Sequence, residues 1–212
     1  MTKLILIRHG FSCGNKEKKF SGQLDVSLDE IGFLQAEEIS QYVINNFKVD
    51  TIYSSDLSRA CDTVKPIAKA LNLPIHTLKE LREVDVGEWQ GMLIEEVKEK
   101  YPESFNLYKA KPGLAQFDGG ESYKMMLERV NPAIEKIVKE NDGKTVVIGT
   151  HGGVIRVLRS FWQNVPLESI ENIPHVPNAS VTVVEFSNGI PTLTLIGYNN
   201  YLSNRTTEAG VK

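Results

Sequence analysis

The sequence predicts an α/β fold, a three-layer α/β/α sandwich with a mostly parallel central sheet. Short apolar runs rich in β-branched residues alternate along the chain with longer segments of helical periodicity. Two of these runs are continuously apolar, as strands covered on both faces are. No repeat, low-complexity tract or flexible linker divides the 212 residues. We therefore expect one domain over residues 1–212, with a helical excursion around residues 91–118.

Five segments are predicted as strands because they are short, apolar and rich in valine, isoleucine and threonine. In chain order they are residues 4–7, 51–54, 145–149, 180–186 and 192–196. The first and third are the continuously apolar ones. They should therefore lie inside the sheet, with helices on both sides.

Three helices are predicted between these strands. Ser27 and Glu30 have the spacing of a capping box, which predicts a helix that begins at Ser27. Its inward face is expected to carry Ile31, Leu34, Ile39, Tyr42, Val43 and Phe47. The second helix should cover residues 57–71, because Asn72 and Pro74 end it. The third should follow Gly119-Gly120 and bury Met125, Met126, Val130, Ile134, Ile137 and Val138.

The segment 91–118 has a different composition from the rest of the chain. It is rich in both aromatic and acidic residues, among them Tyr101, Phe105, Tyr108 and Phe117. We expect helices that leave the sheet here and cover a site as a lid.

Composition excludes several classes of function. The chain is 41% apolar and 24% charged with a net charge of −3, so no positive field recruits nucleic acid or an anionic membrane. The two cysteines form no C-x-x-C pair and indicate a reducing compartment. No apolar run reaches the ~20 residues of a membrane-spanning helix. We expect a cytoplasmic protein without nucleic-acid or membrane partners.

Two predicted strands end in the same way, in a histidine followed by glycine. The first runs into Arg8-His9 and the strand 145–149 runs into His151. Ligands of open α/β sheets bind outside the carboxyl ends of the strands, where both histidines would lie. Arg59, near the start of the helix after the second strand, should reach the same edge. Two arginines and two imidazoles around one spot predict a site for a phosphate dianion.

The histidines and Ser12 also have to be considered for other functions. The spacings of common zinc motifs are absent, so no metal cofactor is expected. His76 is expected on the surface or a sheet face, and His175 in a loop. Ser12 stands in a G-x-S-x-G pattern directly after a strand, so a serine esterase is one alternative. A non-catalytic phosphate-binding regulator is another.

Five motifs resemble those of one known family. They are Arg8-His9-Gly10 followed by Asn15, SSDLSRA at 54–60, LREVDVGEWQG at 81–91, DGGES at 118–122 and THGG at 150–153. In this order and spacing they resemble the histidine phosphatase superfamily, the phosphoglycerate mutase-like proteins. The resemblance extends from residue 3 to residue 197.

The resemblance implies a role for each matching residue. His9 would attack phosphorus and become a phosphohistidine. Glu83 would protonate the leaving oxygen and then activate water. Without the resemblance, Arg82-Glu83 would be interpreted as an exposed ion pair. The phosphoryl oxygens or the substrate would be bound by Arg8, Arg59, His151, Asn15, Ser21, Gly22 and Gly152. The substrate would be a small phosphate ester, and a homodimer is one compatible oligomeric state.

The sequence favours a phosphatase over the alternative, a phosphoglycerate mutase. A mutase needs extra fixed cations on its lid, whereas no arginine occurs from Glu83 to Glu121. The aromatic residues Trp89, Tyr101, Phe105, Tyr108 and Phe117 suit the uncharged part of an organic ester. Phe11 replaces the family's usual acid and is expected near the pocket rim. The sequence does not distinguish among five candidate substrates: sugar phosphates, phosphoglycerates, nucleotide precursors, phosphoserine and α-ribazole phosphate.

Overall fold

The computed structural model describes residues 1–205, so residues 206–212 of the predicted domain lie outside the described part. A single six-stranded sheet forms its centre, in the order β3-β2-β4-β1-β5-β6. The strands are β1 (Thr2–Arg8), β2 (Thr51–Ser55), β3 (Ile75–Leu78), β4 (Thr145–Thr150), β5 (Val181–Ser187) and β6 (Ile190–Tyr198). The neighbours from β3 to β1 are parallel, and β5 and β6 are antiparallel. The predicted mostly parallel sheet is confirmed.

Seven α-helices surround this sheet in the described part of the chain. They are α1 (Cys13–Glu17), α2 (Glu30–Asn46), α3 (Ser58–Leu71), α4 (Ile94–Lys100), α5 (Pro102–Ala110), α6 (Tyr123–Glu140) and α7 (Gly152–Trp162). The predicted helical excursion is confirmed, since α4 and α5 lie in it. Over residues 1–205, no helix has the length and apolar character needed to cross a membrane.

Strand β1 separates two hydrophobic cores because its side chains alternate between the sheet faces. Leu4 and Leu6 belong to the core that α6 and α7 cover. Ile5 and Ile7 belong to the core that α2 and α3 cover. All four side chains are fully buried, which explains the continuous apolar run and confirms the three-layer sandwich.

Three details of the predicted helices are wrong. Helix α2 is capped by Asp29 rather than Ser27, because the Asp29 carboxylate accepts the N–H of Ile31 at 2.8 Å. Leu34 is 65% exposed, since the buried stripe of α2 runs through Gln35, the next residue along the helix, and then Ile39. Met125 is 52% exposed for the same reason, while Met126 is fully buried.

Sequence patterns missed β3, α1 and α7. Strand β3 is a short edge strand with two polar residues among four, so no apolar run marks it. Helix α7 is buried from Gly152 through Ser160. Its sequence is nevertheless amphipathic, because Arg156 and Arg159 lie three residues apart on one helix face, so the helical period was available in the sequence.

Candidate active site

The pairing of β1 with β4 brings the two histidines together. Arg8 lies opposite Thr150 in the parallel register, and the His9 N–H donates to the Thr150 carbonyl at 2.9 Å. His9 and His151 therefore leave the same edge of the sheet side by side. Their ring centroids are 5.3 Å apart. The predicted meeting of the two strand ends is confirmed.

His9 lines a cleft of about 400 Å³ and presents one ring nitrogen to it. Its Nδ1 lies 2.8 Å from the Gly10 carbonyl, which only accepts, so Nδ1 carries the proton. The lone pair of the neutral ring is then on Nε2. Burial, followed by the charges of Arg59 and Arg8, lowers the pKa of His9 well below its usual value. The His9 ring is thus neutral at neutral pH, with a lone pair on Nε2.

Arg8 and Arg59 line the same cleft and are almost fully buried. Arg8 donates to the Val176 carbonyl at 2.7 Å. Arg59 donates to the carbonyls of Leu24 and Gly22, both at 2.8 Å. These bonds fix the orientation of each guanidinium, and fixed planar donors suit the oxygens of a phosphate.

His151 occupies a different place from the one predicted. It is fully buried next to the His9 ring and does not line the cleft. Its Nε2 is 2.9 Å from the Ser55 hydroxyl. Its Nδ1 is buried and has no hydrogen-bond partner among residues 1–205. Burial, Arg59 and His9 lower the pKa of His151 well below its usual value.

Glu83 lines the same cleft as the two arginines. Its carboxylate accepts the N–H of Gly153 at 3.0 Å and the N–H of Val84 at 2.9 Å. An added Cβ at position 153 would lie 2.2 Å from the Glu83 carboxylate, so a side chain there would displace Glu83. The Arg82–Glu83 ion pair suggested by the sequence is wrong, since Arg82 instead pairs with Asp56 at 2.6 Å.

Arg129 and Glu121 hold the loop that carries Glu83. The Arg129 guanidinium donates to the carbonyls of Glu83 at 2.9 Å and Glu80 at 2.7 Å. It also pairs with Glu121, which accepts the N–H of Asp85 at 3.0 Å. Glu121 stands in the DGGES motif, whereas no sequence signal marked Arg129. The positioning of Glu83 thus depends on a helix, α6, that sequence analysis left out of the site.

The remaining predicted binding residues also line the cleft: Asn15, Ser21, Gly22 and Gly152. Gly22 has φ +51°, and a Cβ there would meet Gln90 at 2.6 Å, so the position requires glycine. The Asn15 side-chain oxygen accepts from the Asn178 amide at 3.1 Å. Asn178 in turn donates to the His9 carbonyl at 3.2 Å, which ties this loop to the histidine.

The esterase alternative has no support from the geometry. Ser12 is the N-cap of α1, and its hydroxyl donates to the Asn15 oxygen at 3.0 Å. The described part of the chain places no histidine within hydrogen-bond distance of this hydroxyl. Ser12 therefore lacks the base that a serine nucleophile needs.

The far end of the cleft is lined by residues that sequence analysis did not select. They are Lys109 of the lid, Arg156 of α7 and His175 of the loop before β5.

The expected location of Phe11 is wrong, because it is buried and its N–H donates to Gln35 at 2.8 Å.

The role expected for the aromatic residues is also wrong for most of them. Trp89, Phe105 and Phe117 are buried against one another, with the Trp89 and Phe117 rings 5.0 Å apart. Of the five aromatic residues expected to contact substrate, only Tyr108 lines the cleft. The others form the core of the lid.

The described residues include no group of three or more histidine, cysteine, aspartate or glutamate side chains that could hold a metal ion. Cys13 and Cys61 are both free thiols.

The buried histidines predict how stability depends on pH. Because the pKa values of His9 and His151 are lowered in the folded state, only the unfolded chain gains their protons below pH 6.5. Stability should therefore fall as the pH falls, by ~2 kcal/mol per histidine between pH 7 and pH 5. Denaturant unfolding at both pH values measures this loss. His151→Gln should reduce it, whereas the exposed His76→Gln should not; equal losses in all three proteins would contradict the expectation.

Comparison with known proteins agrees with this geometry. The sequence profile of the histidine phosphatase superfamily (branch 1) matches residues 4–199. Phosphoserine phosphatase 1 of Hydrogenobacter thermophilus is 37% identical over 184 residues, which cover 87% of this chain and 86% of that protein. The structure of Bacillus stearothermophilus YhfR superimposes with a TM-score of 0.90 at 28% identity, covering 95% of this chain and 99% of the other. A phosphoserine phosphatase mutant from Entamoeba histolytica, in complex with phosphoserine, gives a TM-score of 0.83 at 28% identity and covers 95% and 100%.

Proposed function

We propose that this chain, which belongs to the histidine phosphatase superfamily and is a phosphoric monoester hydrolase, acts on small organic phosphate esters through a covalent phosphohistidine on His9. One observation carries the proposal. A neutral histidine, two buried arginines and a carboxylate line the same cleft. This set supplies a nucleophile, a phosphate clamp and a proton donor.

The first half of the reaction transfers the phosphoryl group to the enzyme. His9 Nε2 attacks phosphorus, and the bond between phosphorus and the ester oxygen breaks. Glu83 gives its proton to the leaving oxygen, so the alcohol departs neutral. Arg8 and Arg59 stabilise the charge on the phosphoryl oxygens as the transition state forms.

The second half regenerates the enzyme. A water molecule attacks the phosphohistidine, and the Glu83 carboxylate accepts its proton. The bond between phosphorus and Nε2 breaks, inorganic phosphate forms, and His9 is neutral again. The backbone bonds from Gly153 and Val84 hold Glu83 in place for both proton transfers.

Trapping the intermediate tests the covalent step. The reaction is started with a substrate labelled in its phosphoryl group and quenched in alkali, where phosphohistidine survives. We expect the label on the peptide that contains His9. Label on a serine, an aspartate or His151 would contradict the assignment.

Hydrolysis rather than phosphoryl return to a second substrate is expected. The two reactions differ in the acceptor of the phosphoryl group, which is water in a phosphatase. A mutase has to hold a second phosphorylated ligand with additional cations. Supplying 3-phosphoglycerate, with and without 2,3-bisphosphoglycerate, distinguishes the reactions. Release of phosphate without formation of 2-phosphoglycerate is the expected result. Efficient isomerisation with little phosphate release would make the protein a mutase.

A further inference from the structure

The cleft contains a second polar region beyond His9, Arg8 and Arg59. Lys109, Arg156 and His175 line it, and we call these three residues the distal cluster. None of them takes part in the proposed transfer of the phosphoryl group. Their charges and hydrogen bonds nevertheless indicate what the other end of a substrate contains.

Lys109 is a partly buried cation without an acidic partner in the described part of the chain. It lies near the end of α5, and burial lowers the pKa of its ammonium below the usual value. Two other lid lysines are paired with acids: Lys98 with Glu95 at 3.4 Å, and Lys111 with Glu171. A partly desolvated charge is costly unless an anion compensates it, so Lys109 points to an anionic ligand in the cleft.

Arg156 is fixed by the loop that carries His175. Its guanidinium donates to the carbonyls of Ile173 at 2.7 Å and Ile170 at 3.0 Å. It also lies 2.9 Å from Nε2 of His175. These bonds hold a buried positive charge rigidly at the wall of the cleft, with some guanidinium hydrogens not engaged by them.

His175 is a neutral hydrogen-bond donor rather than a third cation. A guanidinium can only donate, so Nε2 of His175 accepts and Nδ1 carries the proton. Although the ring opens onto the cleft, burial by the surrounding protein and then the Arg156 charge lower its pKa to about 3. The distal cluster thus offers two positive charges and one neutral N–H.

The distal cluster lies close to the phosphoryl site. Arg8 donates to the carbonyl of Val176, the residue that follows His175. Both regions share a cleft of about 400 Å³, which suits a small molecule that spans them. Among the described residues that line it, Glu83 is the only acid. The far end therefore favours a second anion.

We propose that the distal cluster binds a carboxylate, so that the preferred substrates are phosphate monoesters of hydroxy- or amino-carboxylates; this inference rests on the proposed phosphatase function. A carboxylate has two oxygens and one charge. The Lys109 ammonium, the two Arg156 N–H groups not used within the protein and the His175 N–H can together bind both oxygens. A phosphate dianion has three oxygens to satisfy, and three directions of Arg156 are already used within the protein.

Matched substrates test the proposal. Phosphoserine and phosphoethanolamine differ only in the carboxylate. In the second pair, 3-phosphoglycerate has a carboxylate where glycerol 3-phosphate has a hydroxymethyl group. We expect kcat/KM to be about 10- to 100-fold higher for the carboxylated member of each pair, as a charge-assisted contact provides. Lys109→Met should remove most of that preference. Lys98→Met, an exposed lid lysine away from the cleft, should retain it.

The outcomes separate the subsite from the phosphatase. If phosphate is released equally from both members of each pair, or if Lys109→Met leaves the ratio unchanged, the carboxylate subsite is wrong and the phosphatase stands. If none of the four esters nor para-nitrophenyl phosphate releases phosphate, the proposed function fails and the subsite fails with it. Because Lys109 lies at the end of a lid helix, outside the two cores of the sheet, its replacement should leave the fold intact.

Discussion

Replacing His9 with alanine is expected to reduce kcat/KM for every phosphate ester by about 10⁴-fold or more, because no other group can take the phosphoryl transfer. No other histidine ring among residues 1–205 lines the phosphoryl end of the cleft, since His151 is buried next to the His9 ring. The alanine protein should also accumulate no alkali-stable label. Initial rates of phosphate release measure the first effect, and quenching with labelled substrate measures the second.

His76→Ala is the matched control for this replacement. His76 lies in β3, exposed and outside the cleft, so its removal tests the general effect of losing an imidazole. Activity of this variant should equal that of the unmodified protein. A His9→Ala protein that folds and still turns over esters at more than a hundredth of the normal rate would rule out His9 as the nucleophile.

Replacing Glu83 with glutamine is expected to slow esters with poor leaving groups by ~10²–10⁴-fold, the usual contribution of general acid–base catalysis. Glutamine has nearly the same shape but no proton to transfer. Aryl phosphates with activated leaving groups need no proton and should lose less in the phosphorylation step. A plot of log kcat/KM against leaving-group pKa should therefore become steeper in the variant.

Glu80→Gln serves as the control, because Glu80 lies in the same segment and its side chain is exposed. It should leave the leaving-group dependence unchanged. If Glu83→Gln slows activated and unactivated esters equally, with phosphorylation shown to be rate-limiting, Glu83 only positions the substrate. The two bonds from Gly153 and Val84 would then be its whole role.

Local sequence determined the central part of the site. A continuously apolar strand followed by Arg8-His9 carries information about burial, chain direction and chemistry in a few adjacent residues. The repeat of that pattern at His151 required only the rule that parallel strands end at one edge. Strand β1, strand β4 and the two histidines were therefore predictable without any knowledge of distant contacts.

Glu83 required the family resemblance. It stands in an irregular segment, where no periodicity predicts direction, and its neighbour Arg82 suggested a surface ion pair. The structure shows that Arg129 and Glu121, 46 and 38 residues further along the chain, support this segment. Such long-range hydrogen bonds leave no local pattern.

What the sequence by itself determined was the fold class, the mostly parallel sheet and the positions of His9, Arg8 and Arg59 at one edge. Only the tertiary structure decided that His151 is buried next to His9 outside the cleft, that most lid aromatics pack on one another, and that Lys109 and Arg156 meet at the far end of the cleft. The physical reason is the range of the interactions involved. Strand patterns reflect local burial, whereas the shape of the cleft depends on how α5, α7 and the loop before β5 pack together.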